Sequence, residues 1–415
     1  MGLIYGDCET SILGRSGGTV DEKAKRGGET MDFEIPEGLK QIQMMVRRFV
    51  REEMQPLEQM VEEKHDFPSE IRTPLVKRAL ELGFRQMGVS QKYGGAEIGA
   101  LGQVLASEEM GWVSEAVNYG ILAGEQDVLG LATDEQRERY FLPALNGDRE
   151  GCTAWSEPNA AGDAAGIQTR AVRNGKGWIL NGTKHFITRA DKSDFAIVSA
   201  ITDPDKPKSE RFTQFIVDFD TPGFNRETYQ PMMGRYGLKS WELSLQDCVV
   251  PEESVLGEVG GALRRQLARF GMGRLMLGAR MVGAAQRAMD MAKSYAKQRH
   301  TFGQPLASRQ AVQWMLVDMG MNIHAARIMT YHAAWEIDQE AASRPAQMRQ
   351  AMVKLYTTQM ACSVIDNAIQ IHGGVGYSKM LPLERMYRDA RLYRIAEGPD
   401  EMMKHVIARY MLEME

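Results

Sequence analysis

The chain has 415 residues, 43% hydrophobic and 25% charged, with a formal net charge of -5. Such length and composition suit a globular protein with a large core divided over two or three domains. The acidic balance excludes a nucleic-acid footprint, and no uncharged apolar run approaches the ~18 residues of a transmembrane helix. The four cysteines, Cys8, Cys152, Cys248 and Cys362, form no C-x-x-C pair and suggest no disulfide framework. His324 and His332 share a helical region, but no H-E-x-x-H pattern occurs. A reduced, metal-free, cytoplasmic protein is expected.

Residues 1–30 are rich in Gly, Lys and Glu and lack the basic and apolar regions of a signal peptide. Gly6 stands where myristoylation wants Ser or Thr. We expect a disordered or non-native extension there, with the fold starting near Met31. From 31 to 150 the pattern is helical. Leu39, Ile42, Val46, Phe49 and Val50 mark one helix face that ends before Pro56, and 72–82 repeats the pattern ahead of a Gly94-Gly95 turn.

From 151 to 260 the period changes to that of strands. Trp178-Ile179-Leu180, Asn181-Gly182 and His185-Phe186-Ile187-Thr188 suggest a hairpin around an Asn-Gly turn. The apolar runs 195–201, 212–219 and 243–250 are further strands, the last stopped by Pro251. From 261 to 415 helices return. The stretch 275–298 carries Gly278, Ala279, Gly283, Ala284, Ala285, Ala288 and Ala292, small residues that let helices approach closely. Further helices are predicted over 310–340, 346–371 and 401–412. Helices, then strands, then helices is not the alternating order of a Rossmann fold, and no G-x-G-x-x-G follows a strand.

The most informative segment is R-I-A-E-G-P-D-E (394–401). Apolar neighbours desolvate Glu397 and make it a stronger base. Gly398-Pro399 fixes a sharp turn that aims the side chain. A plain surface glutamate near a helix start has the same local sequence, so the assignment depends on the rest of the chain.

Four other segments accompany it: T-A-W-S-E-P (153–158), N-G-T-K-H-F-I-T (181–188), R-H-T-F-G-Q-P-L (299–306) and Q-I-H-G-G-V-G-Y (370–377). Together, in this order, they resemble the acyl-CoA dehydrogenase family, and the resemblance covers nearly everything from Met31 onward. It implies an α+β fold: an N-terminal helical domain, a middle β-barrel or sandwich domain and a C-terminal four-helix bundle. It also implies bound FAD and a homo-oligomer, a dimer or tetramer.

By that resemblance Ser156 meets the flavin N5 edge, preceded by Trp155, while Phe186 shields the ring face and Thr188 bonds its edge. Phe186 replaces the usual Trp. The usual Gly-Ser-Asp after the first motif is Ala161-Gly162-Asp163, so a hydroxyl contact is lost where Gly162 faces the ligand. Arg299, Thr301 and Phe302 resemble a loop that reaches a neighbouring subunit's FAD; an arginine fork suits a pyrophosphate. Gln370, Gly373 and Gly374 complete that cradle, because glycines admit close backbone approach. Pro399 and Glu401 are assigned to the cofactor side.

Arg274 resembles an arginine beside the substrate thioester, and it begins an apolar helix in the sequence pattern. In some branches the base precedes this arginine; here that residue is Gly273, so Glu397, at the commoner location, inherits the role. The implied reaction is α,β-dehydrogenation of an acyl-CoA, with Glu397 taking the α-proton, the β-hydrogen passing to FAD, and electrons going on to an electron-transfer flavoprotein. Many relatives carry Tyr before the base; Ala396 here implies a differently shaped acyl pocket. A flavin-dependent oxidase or monooxygenase on the same fold is a second reading, although a monooxygenase has no α-proton for Glu397 to remove. A non-catalytic family member is a third, against which the intact FAD segments argue.

Overall fold

The structure, a computed structural model, describes residues 34–122, 131–160, 162–339 and 344–413. The expected 1–30 extension and Ala161 lie outside the described residues.

Helices α1 (Glu37–Phe49), α2 (Glu58–Lys64), α3 (Ser69–Glu81), α4 (Ala100–Met110) and α5 (Glu115–Leu122) open the chain. The predicted face of α1 is the one that packs: Val46, Phe49 and Val50 are buried and Ile42 lies against them. The chain does not break at Pro56. A π turn over Val50–Met54 and a 3-10 turn over Gln55–Leu57 carry it into α2. Proline is tolerated in the first turn of such a segment, where its missing N–H has no partner to lose.

The middle zone is one eight-stranded sheet. Its strands are β1 (Gly151–Ala154), β2 (Arg170–Asn174), β3 (Gly177–Thr188), β4 (Phe195–Ile201), β5 (Phe212–Asp218), β6 (Phe224–Gln230), β7 (Ser240–Pro251) and β8 (Val255–Leu256). Their order is β6-β7-β3-β2-β4-β5-β8, with β1 pairing in parallel with β4.

The hairpin expected at Asn181-Gly182 is absent: β3 runs straight through it. The turn lies one step earlier, where Asn174 pairs with Gly177 and Gly175 takes φ +59°. Asn181-Gly182 is instead a β-bulge, with the β3–β7 register shifting between Leu180 and Gly182. Asn181 and Asp247 exchange two hydrogen bonds across it, at 3.1 and 2.8 Å. A bulge uses the same conformational freedom as a tight turn, so the dipeptide alone does not distinguish them.

The C-terminal zone holds α6 (Ala262–Gln298), a short hairpin of β9 (His300–Thr301) and β10 (Gln304–Pro305), then α7 (Gln310–Gln339), α8 (Arg344–His372), α9 (Leu383–Leu392) and α10 (Asp400–Met411). Helix α8 packs on α6, α7, α9 and α10, and α4 crosses onto α6. The small residues act as predicted, partly against another zone. A Cβ on Gly278 would sit 2.6 Å from Val353, while one on Gly283 would strike the Glu108 carbonyl of α4 at 1.9 Å. Glycine there lets two helix backbones touch. Among the described residues no helix is long and apolar enough to cross a membrane.

Candidate active site

Between α9 and α10 the chain makes the predicted sharp turn. Glu397 has φ +58° and Gly398 φ +93°, so two successive residues are left-handed. Such a conformation is uncommon for a glutamate. It leaves the Glu397 side chain exposed, not desolvated as its apolar neighbours suggested, because Ile395 itself faces solvent and Ala396 packs on the bundle core. The turn is held from two helices. Arg274 Nε of α6 donates to the Glu397 carbonyl at 3.4 Å, and Lys354 Nζ of α8 donates to the Gly398 carbonyl at 2.6 Å. Arg274 does not begin a helix, as the apolar pattern suggested; it lies a dozen residues inside α6, which starts at Ala262. Burial lowers its proton affinity, and the nearby Glu397 carboxylate opposes that shift.

Gly273 also faces the turn. A Cβ placed there would lie 4.0 Å from Glu397 Oε2. The two chain positions weighed for the base therefore converge on one spot, and only Glu397 carries a carboxylate there. Asp400, at the start of α10, is buried and accepts from Arg394 Nε at 2.8 Å and Gln359 Nε2 at 3.0 Å. Burial raises its pKa, but these partners and Lys354 outweigh that and hold it below its usual value. Asp400 is therefore committed to structure. Glu401 is exposed on the first turn of α10.

Gly162 meets this turn. A Cβ on Gly162 would touch Pro399 at 3.7 Å. Trp155 differs from its neighbour Ser156. Its ring is buried with Ala160, Ile167 and Phe212, and its Nε1 donates to the Ala164 carbonyl at 2.9 Å. Ser156 stays partly exposed, and its carbonyl accepts from His185 N at 2.8 Å. That bond ties the loop to β3, where a second register shift lies between Lys184 and Ile187. In it Phe186 takes φ +56° and presents a ring 50% exposed. Thr188 closes the strand opposite Ser240. The loop is thus joined to β3 through Ser156 and to the Glu397 turn through Gly162 and Pro399.

Beneath it lies a pair that sequence reading missed. Lys184 is 0% exposed; its Nζ donates to Glu157 Oε1 at 2.7 Å and to the Trp155 carbonyl at 3.2 Å. Burial pushes Lys184 down to about 8 against the pull of Glu157. Burial raises Glu157, but Lys184, Thr169 and Gln168 together hold it below its usual range. At neutral pH both are charged, an ion pair that fixes the loop from below. A lone lysine in a strand gives no sign of this.

A second group of expected residues gathers at the far end of α6. Arg299 caps that helix and is exposed. Thr301 pairs with Gln304 across the β9–β10 hairpin, and the turn residue Phe302 (φ +51°) is 98% exposed. Gln370 is exposed at the end of α8. Tyr295 stacks on His372 at 4.5 Å, which brings the two segments side by side. Gly373 (φ +62°) and Gly374 are exposed, and nothing lies within 4 Å of a Cβ built on either. An open glycine backbone beside an exposed arginine suits a pyrophosphate, so the residues present fit a dinucleotide.

A cavity of about 1030 Å³ opens beside the turn, between the first half of α6, α8 and α10. Leu267, Arg274, Gln350 and Tyr410 line it. Arg274 is the link: it lines the cavity and bonds the Glu397 carbonyl. Among the described residues no group of three or more His, Cys, Asp or Glu could hold a metal ion.

A helical zone, an eight-stranded sheet and a helical bundle thus set an exposed glutamate turn next to Arg274, which lines the cavity. Family models match over the whole folded chain: acyl-CoA dehydrogenase, N-terminal domain over 36–148, middle domain over 152–248 and C-terminal domain over 262–412. The probable acyl-CoA dehydrogenase YngJ of Bacillus subtilis is 36% identical, over 92% of this chain and 100% of its own length. The butyryl-CoA dehydrogenase structure from Megasphaera elsdenii aligns with a TM-score of 0.84 at 32% identity, covering 92% of this chain and 100% of its own. An FAD complex of PigA aligns with a TM-score of 0.85 at 28% identity, covering 92% and 100%. The chain belongs to the acyl-CoA dehydrogenase family, whose members are FAD-dependent.

Proposed function

We propose that this chain catalyses α,β-dehydrogenation of an acyl-CoA thioester to the trans-2-enoyl-CoA, with Glu397 as the base. The observation that carries it is the Glu397 turn: an exposed carboxylate on a left-handed turn, tied through Arg274 to a cavity of about 1030 Å³. Glu397 takes the α-proton. The backbone N–H of the same residue would meet the charge that develops on the thioester oxygen, where a fixed donor is worth most. Bound FAD supplies the acceptor for the two electrons removed. Ser156, Phe186 and Thr188 would hold its ring system, with Gly162 and Pro399 at the junction with the base.

Arg299, Thr301, Phe302, Gln370, Gly373 and Gly374 would hold the adenosine diphosphate end, but of a different FAD molecule. Arg274 and Arg299 lie on one helix, 25 positions apart, which at 1.5 Å per residue is about 37 Å. That exceeds the reach of one flavin dinucleotide, so the second patch serves a neighbouring copy in a dimer or tetramer. Electrons leave to an electron-transfer flavoprotein. Ala396, beside the base, packs against the core of the helical bundle. Anaerobic titration with acyl-CoAs of increasing length, branched and aromatic ones included, tests the reading. Bleaching of the flavin by one class is expected. No bleaching by any of them, with FAD bound, would contradict it.

A further inference from the structure

Lys354 sits in the middle of α8 with 0% of its surface exposed. A lysine is almost never fully buried without a specific partner. Its Nζ makes one short bond, 2.6 Å to the Gly398 carbonyl, and lies 3.8 Å from Asp400 Oδ1. The bonded carbonyl is the one directly after the proposed base. It belongs to the Gly398–Pro399 peptide, and proline has no N–H. That peptide can therefore be held only by its oxygen. The preceding unit, Glu397–Gly398, is left-handed at both residues and needs outside support to persist. Arg274 reaches the Glu397 carbonyl only at 3.4 Å, and the bond from Asp400 N to the Arg394 carbonyl at 3.1 Å spans the turn without touching either of its left-handed residues. Gln359, five residues along α8, holds Asp400 at 3.0 Å. One helix therefore grips the turn at both 398 and 400.

We propose that Lys354 is a positioning residue for the reaction: its bond to the Gly398 carbonyl holds the Glu397–Gly398 turn so that the carboxylate is aimed at the substrate α-carbon. This rests on the reading of Glu397 as the base. The charged groups facing Lys354 are Asp400, Arg274, Glu397 and Arg394. Burial pushes Lys354 down to about 8, with Asp400 opposing, which fits an ammonium kept in place for its bond rather than for solvation. Lys354 does not take part in proton transfer; it acts through the turn.

The test uses the FAD-loaded enzyme and two variants, Lys354→Met, which has no donor, and the milder Lys354→Gln, which keeps a donor on a side chain one atom shorter. Stopped-flow flavin reduction, expressed per bound FAD, is expected to fall at least about tenfold in Lys354→Met, because small misplacement of a reacting group is costly. Acyl-CoA affinity should stay within about twofold, since the loss falls on the transition state. Backbone hydrogen exchange over 394–403 should accelerate, with and without FAD, while exchange over 177–188 stays parental. Lys354→Gln should move both readings the same way by less, and it decides the matter if the Met variant does not fold. Parental reduction and parental exchange in a folded variant would overturn the proposal. So would faster exchange at 394–403 with reduction unchanged, or a loss of substrate binding that accounts for the whole effect. Glu397→Gln run alongside separates the two claims. If it reduces flavin at the parental rate, the base assignment fails; if it is slow while Lys354→Met is not, only the positioning role fails.

Discussion

Replacing Lys184 with methionine should destabilise the sheet zone by about 3 kcal/mol and loosen the loop that carries Ser156. Lys184 has no exposed surface and Glu157 almost none, so solvent does not screen their 2.7 Å contact. Breaking a buried pair by removing one partner costs roughly 3–5 kcal/mol, because the other charge is stranded. The lower end applies here. Glu157 would keep three donors: Gln168 N at 2.5 Å, Thr169 N at 3.0 Å and Thr169 Oγ1 at 2.5 Å. The Trp155 carbonyl would lose its bond from Lys184. Adding Glu157→Gln to Lys184→Met should recover much of the loss, since no charge is then stranded. Guanidinium unfolding followed by tryptophan fluorescence gives the stability, and FAD content gives the effect on the loop. A cost below about 1 kcal/mol for Lys184→Met, or a double variant as unstable as the two singles added together, would refute the reasoning.

Arg299→Ala should weaken FAD retention by about 10- to 100-fold, the usual worth of a charge-assisted phosphate contact, and loosen the oligomer at the same time. Flavin content and sedimentation measured together check this, and loss of neither would reduce Arg299 to a helix cap. Asp389 is buried and accepts from Arg235 N at 2.6 Å; burial pushes its carboxyl up to about 7. A raised pKa means that folding favours the protonated form. That stability is fully present below about pH 4 and is lost as pH rises through about 7, by at most about 1.4 kcal/mol per pH unit. Asp389→Asn should flatten this part of the profile in denaturation midpoints taken from pH 5 to 8, and an unchanged slope would count against the assignment.

The turn that carries Glu397 was legible because punctuation and chemistry coincide in the sequence. Gly398-Pro399 marks a turn, and the turn is there, with Glu397 on it. The glycines and alanines of 275–298 declared a tight helix contact, although the sequence could not say that Gly283 faces α4 rather than the bundle. Asn181-Gly182 misled because a bulge and a hairpin need the same backbone freedom; the actual turn, at Gly175, has a weaker local signal. The start of α6 at Ala262 was hidden by Arg264, Arg265 and Arg269, which interrupt the apolar pattern. Lys184 and Lys354 were not legible at all. A lysine in a strand or helix reads as a solvated side chain, and only the packing of distant elements shows that Glu157 in one case and the Gly398 carbonyl in the other have taken it inside.

The proposed chemistry turns on Glu397 removing the substrate α-proton. Glu397→Gln keeps the size and hydrogen-bonding capacity of the side chain and deletes the base. FAD and acyl-CoA should bind as before. Anaerobic stopped-flow flavin reduction should slow by at least about 10²–10⁴-fold, the usual worth of a positioned base, with the loss in the reduction step and not in binding. A Gln variant that reduces its flavin at nearly the parental rate would contradict the account.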